Sequence, residues 1–536
     1  MATQHKAHPP RAATVPTPQP RQVAVLDIGA RAIRLDIAEI TGTRMNVLES
    51  LQRSVSLGKE TFGAGSINRA SIEECVDIIR GFRQIMEEYG ITAPDQIRAV
   101  ATSSVREAAN RDAFLDRIYI ATGIPVTILE DAEVEHLIHL ATHDLFEASP
   151  ALLKGSVIII EVGGGTTRLL LVQDGFVTHS RTYKLGALRI QESLDTYQTP
   201  PSRLCAVLDQ HIQRTVNQMA ESVPVTKKPV LIALAGDIEN AARRLVGGWN
   251  SSDTTLIRMP RFTLAETIVA TSPEDLMRDH HLPPHEAETA GQTLLIYDRV
   301  ARAFGVKNMI LTVKSMRRGL LMKMAGQSVG TSRFAEQLAH SATALGRQYR
   351  FDETHAAQVA DIALKLFRAL QPEHGLGAHH EALLRTAAIL HDIGTFVSNT
   401  SHHKHSMYLI LNSELFGLTQ RDNTIVALIA RYHRRSVPRP THPEYAALDR
   451  ESRITTSKLA SILRIADALD RSHIQHTHDI TFSREDKRFV ITIANVEDVT
   501  MERLALREKG SLFESIFGMQ VVLRTASTMK GPAFDG

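Results

Sequence analysis

Residues 23–42 read VAVLDIGARAIRLDIAEITG, and residues 157–175 read VIIIEVGGGTTRLLLVQDG. Each is an apolar run, a carboxylate, an aliphatic residue and a glycine, then a short loop, Arg-Leu and a second apolar run. Asp27 matches Glu161, Gly29 matches Gly163, and Arg34 matches Arg168, all at the same offsets. A strand, a glycine turn and a second strand, used twice, predict two similar halves facing each other across a cleft. Backbone bared by glycine can approach a phosphate closely, and its N–H groups can cradle the anion. A carboxylate at each strand end can hold a divalent cation between the halves. A lone glycine-rich turn is more often a tight hairpin, so the duplication is what favours phosphate.

The composition sets the bounds. A chain of 536 residues has room for about three or four domains. An apolar content of 43% is ordinary for globular protein. A net charge of +2 gives no case for bulk nucleic-acid binding. Cys75 and Cys205 are the two cysteines, which argues against a disulfide framework and for a reducing cytoplasm. No apolar run approaches the roughly 20 residues that span a bilayer. Residues 1–21, rich in Pro, Ala and Thr, read as a disordered tail without a signal core.

Strand-like and helical patterns alternate through residues 22–325, the mark of an α/β architecture. Ser71 opens a helix with Glu74 at the capping-box position. Ile72, Val76, Ile79, Phe82 and Met86 line one face, and Gly90 ends it. Strands are expected at 97–104, 124–129, 157–162, 168–173 and 230–235. Helices are expected at 111–122, from Asp131, at 237–245 after Gly236, and at 284–304 and 314–325. From about residue 333 long amphipathic helices take over: 333–347, 353–370, 379–390, 405–412, 421–433 and 455–470. Residues 478–524 return to strand-like alternation. The expected units are a tail (1–21), two α/β halves (22–145 and 146–328), an all-α domain (329–475) and a small α+β unit (476–536).

Four segments suit phosphoanhydride cleavage: Asp27–Arg34, Ala101–Glu107, Glu130–Glu135 and Glu161–Arg168. That reaction needs an anion cradle, charge neutralisation and a carboxylate to activate water. Gly163, Gly164, Gly165 and Thr166 can form the cradle. Arg106 can pair with phosphate, although an ion pair with Glu107 or Glu130 is the simpler role. Glu133 is a candidate general base, although an acid at a helix N-terminus needs no further reason.

The segments VAVLDIGARAIRL, ATSSVREAANRDAFL, EDAEVEHLIHL, EVGGGTTRLLL, KLGALRIQE, VKSMRRGLL and LHDIG…HHKHSMYLILNSELFGL…ARYHRR occur in this order. In them the chain resembles the exopolyphosphatase/guanosine pentaphosphate phosphohydrolase (Ppx/GppA) family, from about residue 22 to 525. The resemblance implies a duplicated actin-like (ribonuclease H-like) ATPase-superfamily domain, followed by an HD-like helical domain. It implies Mg²⁺-dependent release of terminal phosphate from inorganic polyphosphate or guanosine pentaphosphate, with Glu133 as the catalytic glutamate. Asp27 and Glu161 would hold Mg²⁺. Gly29, Arg31, Arg106, Gly163, Gly164, Gly165, Thr166, Thr167, Arg168 and Gly236 would bind phosphate. A cytoplasmic homodimer, with no membrane or specific nucleic-acid partner, is implied too.

Two loops depart from the family pattern. The first usually reads D-[IL]-G-S-N-S, and here it is Asp27-Ile28-Gly29-Ala30-Arg31-Ala32. The second usually reads D-I-G-G-G-S-T-E-L, and here Arg168 replaces the glutamate. A carboxylate becomes a cation that can pair with phosphate. This motivates a second expectation: a regulatory protein that binds polyphosphate or (p)ppGpp with weakened turnover.

Histidine is abundant, at 24 residues. The order His355…His391-Asp392…Asp467 resembles the HD phosphohydrolase superfamily. The resemblance implies a divalent metal such as Mn, Fe, Zn or Co on these side chains and a third possible function, metal-dependent hydrolysis in the helical domain. His405 and His433 sit where some HD enzymes place second-metal ligands. His402, His403, His374, His379 and His380 read as caps or core. The basic segments Lys227-Lys228, Arg243-Arg244, Arg317-Arg318 and Arg431…Arg434-Arg435 could line a polyphosphate path, though each alone reads as a solvated face.

Overall fold

The two hairpins announced by the repeat begin two sheets of the same wiring. The structure, a computed structural model, describes residues 20–196, 201–225, 228–246, 254–258, 264–326, 331–471, 480–494, 496 and 498–526. In the first half, β1 (Arg21–Ile28), β2 (Ala32–Thr41), β3 (Arg44–Ser54), β4 (Ile97–Ala101) and β5 (Val126–Ile128) lie in the order β3-β2-β1-β4-β5. In the second, β6 (Ser156–Val162), β7 (Thr167–Gln173), β8 (Phe176–Tyr183), β9 (Val230–Leu234), β10 (Thr254–Arg258) and β11 (Asn308–Thr312) lie in the order β10-β11-β9-β6-β7-β8. Read from β8, the second sheet repeats the first, and β10 is an added antiparallel edge. The central strands β1 and β6 are buried on both faces, which is why they read as unbroken apolar runs.

Each half has its own core. Leu26, Ile33, Phe82 and Phe114 belong to the first, and Ile160, Leu171, Leu231 and Tyr297 to the second. A third core joins them: Val25 of β1 and Ile159 of β6 share it with Leu137, Leu320 and Phe416. The helix Met316–Met324 crosses the helix Asp131–Ala148 at Gly319, where any Cβ would overlap the Leu137 backbone. That close approach requires glycine.

Most expected elements are present with shifted ends. The helix expected from Ser71 spans Arg69–Glu88 instead. Its N-cap is Asn68, whose side chain accepts from the Ser71 N–H at 2.9 Å, while the Ser71 hydroxyl donates to Glu60 at 2.6 Å. The helix expected over 284–304 is broken into Pro284–Ala287 and Ala290–Ala303. The long helix Pro201–Ser222 was not expected.

The helical domain contains Thr331–Gln348, Glu353–Ala369, Ala378–Leu390, His402–Leu411, Gln420–Arg431 and Arg450–Leu469. The sheet of β12 (Ile480–Glu485), β13 (Arg488–Ala494) and β14 (Gln520–Ala526) shares its core, through Phe489, Ile491 and Leu523. The C-terminal strands therefore cap the helices rather than standing apart from them. Among the described residues, no helix is long and apolar enough to cross a membrane.

Glu135 is buried where the two halves and the helical domain meet, and accepts from the Thr182 hydroxyl at 2.9 Å. Burial, then the nearby Glu414, pushes its carboxyl up to about 8. Burial likewise pushes Glu414 up to about 7. An acid with a raised folded pKa takes up a proton on folding, so its carboxyl favours the fold less as pH rises through that window. Glu135→Gln is expected to gain melting temperature over the wild type as pH rises from 4.5 to about 8. A gap independent of pH in thermal unfolding would refute the assignment.

Candidate active site

Each glycine loop returns the chain so that a carboxylate faces an arginine. Asp27 and Arg34 are register partners across β1 and β2, and Glu161 and Arg168 are register partners across β6 and β7. Each arginine also reaches the opposite half. Arg168 pairs with Glu161 at 3.0 Å and with Asp131 at 3.1 Å. Arg34 lies 4.0 Å from Asp27 and 3.0 Å from Asp237. Arg317 adds a third bridge, 3.5 Å from Asp27 and 2.9 Å from Asp36. Arg31 donates to the His285 carbonyl at 2.5 Å.

Burial dominates the electrostatics here. It pushes Asp27 up despite Arg317 and Arg34, and Glu161 up despite Arg168. Asp237 also feels burial, but Arg34, Arg317 and Arg31 outweigh it and hold its carboxyl low. Burial pulls Arg31 down to about 10. Asp27 Oδ1 is buried and has no hydrogen-bond partner among the described residues.

The loops touch. Gly58 donates its N–H to the Ala30 carbonyl at 2.7 Å. A Cβ on Gly164 would come within 2.9 Å of the Ala30 methyl group. Arg189 lies over Phe62 at 4.1 Å, donates to the Gly165 carbonyl at 2.8 Å and pairs with Glu107. The N–H groups of Gly164 and Gly165 donate no backbone hydrogen bond among the described residues. A cavity of about 50 Å³ remains, lined by Gly29, Gly163, Gly164 and Thr166 together with the carboxylates Asp27, Glu161 and Asp237 and the arginines 31, 34, 168 and 317.

Other expected residues lie elsewhere. Thr167 gives its hydroxyl to the Leu185 carbonyl. Arg106 binds the Leu129 carbonyl and Asp131, both at 2.7 Å, and lines a separate cavity toward the helical domain. Its partner is Asp131, neither Glu107 nor Glu130. Glu133 caps its own helix, accepting from the Glu130 N–H at 3.0 Å, and is not among the residues lining the small cavity. Gly236 lines a third cavity beside Lys314 and Arg318. Arg243, Arg244 and Arg431 are held locally by Glu239, the His280 and His281 carbonyls, and Glu444. Lys227 lies outside the described residues. Asp237 is not among the expected residues, and Asp131 lies in the expected segment Glu130–Glu135 without a role of its own; the place of each follows from the long-range wiring.

In the helical domain, His355, His391 and Asp467 bring ligand atoms together, and Asp392, His402 and His433 form a second group. His402, expected as a cap or core residue, belongs to that group, and His405 does not. Burial holds the His433 imidazole down to about 3.

Two similarly wired α/β halves with glycine loops facing a charged cleft define an actin-like two-lobed protein, here followed by a helical domain. The chain belongs to the Ppx/GppA phosphatase family: residues 36–328 match that family, and residues 339–510 match its domain III. A guanosine-5'-triphosphate,3'-diphosphate pyrophosphatase of Aeromonas salmonicida is 20% identical over 473 residues, covering 88% of this chain and 92% of the relative. The Aeromonas hydrophila protein of the same name is 21% identical over 457 residues, covering 85% and 88%. An exopolyphosphatase structure from Cytophaga hutchinsonii aligns at TM-score 0.51 and 19% identity, over 57% of this chain and 98% of its own. That likeness is one of fold.

Arg168→Ala would leave Glu161 and Asp131 without their shared cation. A loss of about 3 kcal/mol is expected in urea unfolding at neutral pH, and an unchanged midpoint would show that the pairs contribute little.

Proposed function

We propose that this chain is a metal-dependent phosphoanhydride hydrolase that removes a terminal phosphate from inorganic polyphosphate or guanosine pentaphosphate. One observation carries the reading: four arginines and three carboxylates converge on one small cavity between two glycine loops. An incoming phosphate can take over the guanidinium groups of Arg34, Arg168 and Arg317. The N–H groups of Gly164 and Gly165 add donors. The exchange releases Asp27, Glu161 and Asp237. These carboxylates, with the unpartnered Asp27 Oδ1 among them, suit Mg²⁺, which when bound would neutralise charge on the phosphoryl oxygens.

Glu133 acts as general base. It takes a proton from water as the water oxygen bonds to the terminal phosphorus and the bridging P–O bond breaks. To do so its carboxylate gives up the Glu130 N–H, a hydrogen bond worth about 1 kcal/mol. The names of the relatives support both substrates. A second reading, binding without turnover, is favoured by Arg168, which stands where the resemblance places a glutamate and already neutralises Glu161.

Phosphate release from polyphosphate and from guanosine pentaphosphate with Mg²⁺ tests both readings. Glu133→Gln is expected to lose about 100-fold or more in kcat while still binding polyphosphate; full activity would end the first reading. Tight binding by the wild type without release, together with a gain of turnover in Arg168→Glu, would establish the second.

A further inference from the structure

The cavity between the helix Asp131–Ala148 and the helical domain holds more acid than base. Its volume is about 450 Å³, and its wall carries the carboxyls of Glu130, Asp131, Glu135 and Glu414 against one cation, Arg106. Arg106 is already held by the Leu129 carbonyl and by Asp131, and Arg168 takes the same oxygen of Asp131. Glu130, Glu135 and Glu414 form no ion pair among the described residues. Glu135 is only 2% exposed. A carboxyl buried without a cation either keeps its proton or takes up a cationic guest.

A second observation is independent of the acids. Asn423 stands on the same wall and is 7% exposed. Its amide nitrogen donates to the Ile410 and Ser413 carbonyls, and its Oδ1 has no hydrogen-bond partner among the described residues. The side chain therefore offers an acceptor that only a guest with N–H or O–H groups would satisfy. Leu411, Leu415 and Leu418 make much of the remaining wall apolar.

We propose that this cavity binds a short aliphatic diamine or polyamine, with one ammonium between Glu135 and Glu414, the other beside Glu130, and the methylene stem along Leu411, Leu415 and Leu418. An ammonium has three donors and no acceptor, which matches a wall of acceptors. A single metal ion does not match it. Among the described residues, no three of these carboxyls bring oxygens within 4.8 Å of one another. Glu130 instead precedes Glu135 by about 7.5 Å along the helix axis, a distance that two charges on one flexible stem can span. The stem gains by covering leucine surface while its heads stay polar. The guest joins Glu135 of the first half to Glu414 of the helical domain, on the helix that also carries Glu133.

Binding displaces protons. Burial, then Glu414, pushes the Glu135 carboxyl up to about 8, and burial pushes Glu414 up to about 7. The other charges facing the pair are Arg168 of β7, Arg181 of β8 and Asp131 of the same helix. Both acids lose their protons between about pH 6 and about pH 8.5, while an alkylammonium keeps its charge. Affinity therefore rises across that range.

The test is binding of 1,4-diaminobutane to the full-length protein without substrate, read by calorimetry and by melting temperature. About one equivalent is expected, bound about tenfold or more weakly in Glu135→Gln and in Glu414→Gln. Binding is expected to be unchanged in Asp361→Asn, an exposed acid of the helical domain, and tighter at the higher pH. Melting without diamine checks that each variant folds. No binding, or equal binding by both glutamine variants, would overturn the site. Equal binding of butane-1,4-diol would overturn the role of charge, and K⁺ or Mg²⁺ competing at the same concentration would overturn the ligand class.

Discussion

The cross-strand pairing of a carboxylate with an arginine, built twice, is the constraint on which the rest depends. Asp27 faces Arg34 and Glu161 faces Arg168 because each glycine loop turns the chain in the same register. Two opposite charges about 4 Å apart attract by roughly 4 kcal/mol in a medium of intermediate polarity, but desolvation cancels much of that gain. Each arginine is long enough to satisfy its own hairpin and a carboxylate of the facing half. The second contacts, Arg168 to Asp131 and Arg34 to Asp237, tie the two sheets together across the cleft. A shift of either hairpin by one residue would turn the pair to opposite faces and undo both ties.

The repeat made the duplicated fold readable, because few chain arrangements other than a doubled sheet bury such apolar runs on both faces and turn them at a glycine of fixed offset. It also placed Asp27, Glu161 and the glycine loops at the cleft. Asp237 gave no such sign, since a single aspartate after a strand has local uses everywhere. The histidines show the same limit. His402, His403 and His405 lie within four residues, and which one faces inward depends on where their helix begins. It begins at His402, so the first turn places that residue beside Asp392 and His433. Asp470 could not be singled out, because its role exists only through the ring of His355.

The helical domain is joined to the cleft through the helix that carries Glu133. Phe416 enters the core shared by the two halves and packs edge-on against His139 at 5.5 Å. The Gln420 N–H donates to Glu130 at 2.8 Å, the residue whose own N–H holds Glu133. One short chain of contacts therefore runs from the second domain to the start of that helix. It rests on two backbone N–H groups, the carboxylates of Glu130 and Glu133 that accept from them, and the contact of two rings, so it is sensitive to small rotations of the helical domain.

Ala30 has a consequence for how anything reaches the cleft. Its methyl group is the spacer that sets how near the two lobes come, pressed between Gly58 and Gly164. A larger side chain at that position would hold the two loops further apart. A guest larger than the cavity of about 50 Å³ enters only if the lobes part, and its apparent affinity is reduced by the cost of that opening.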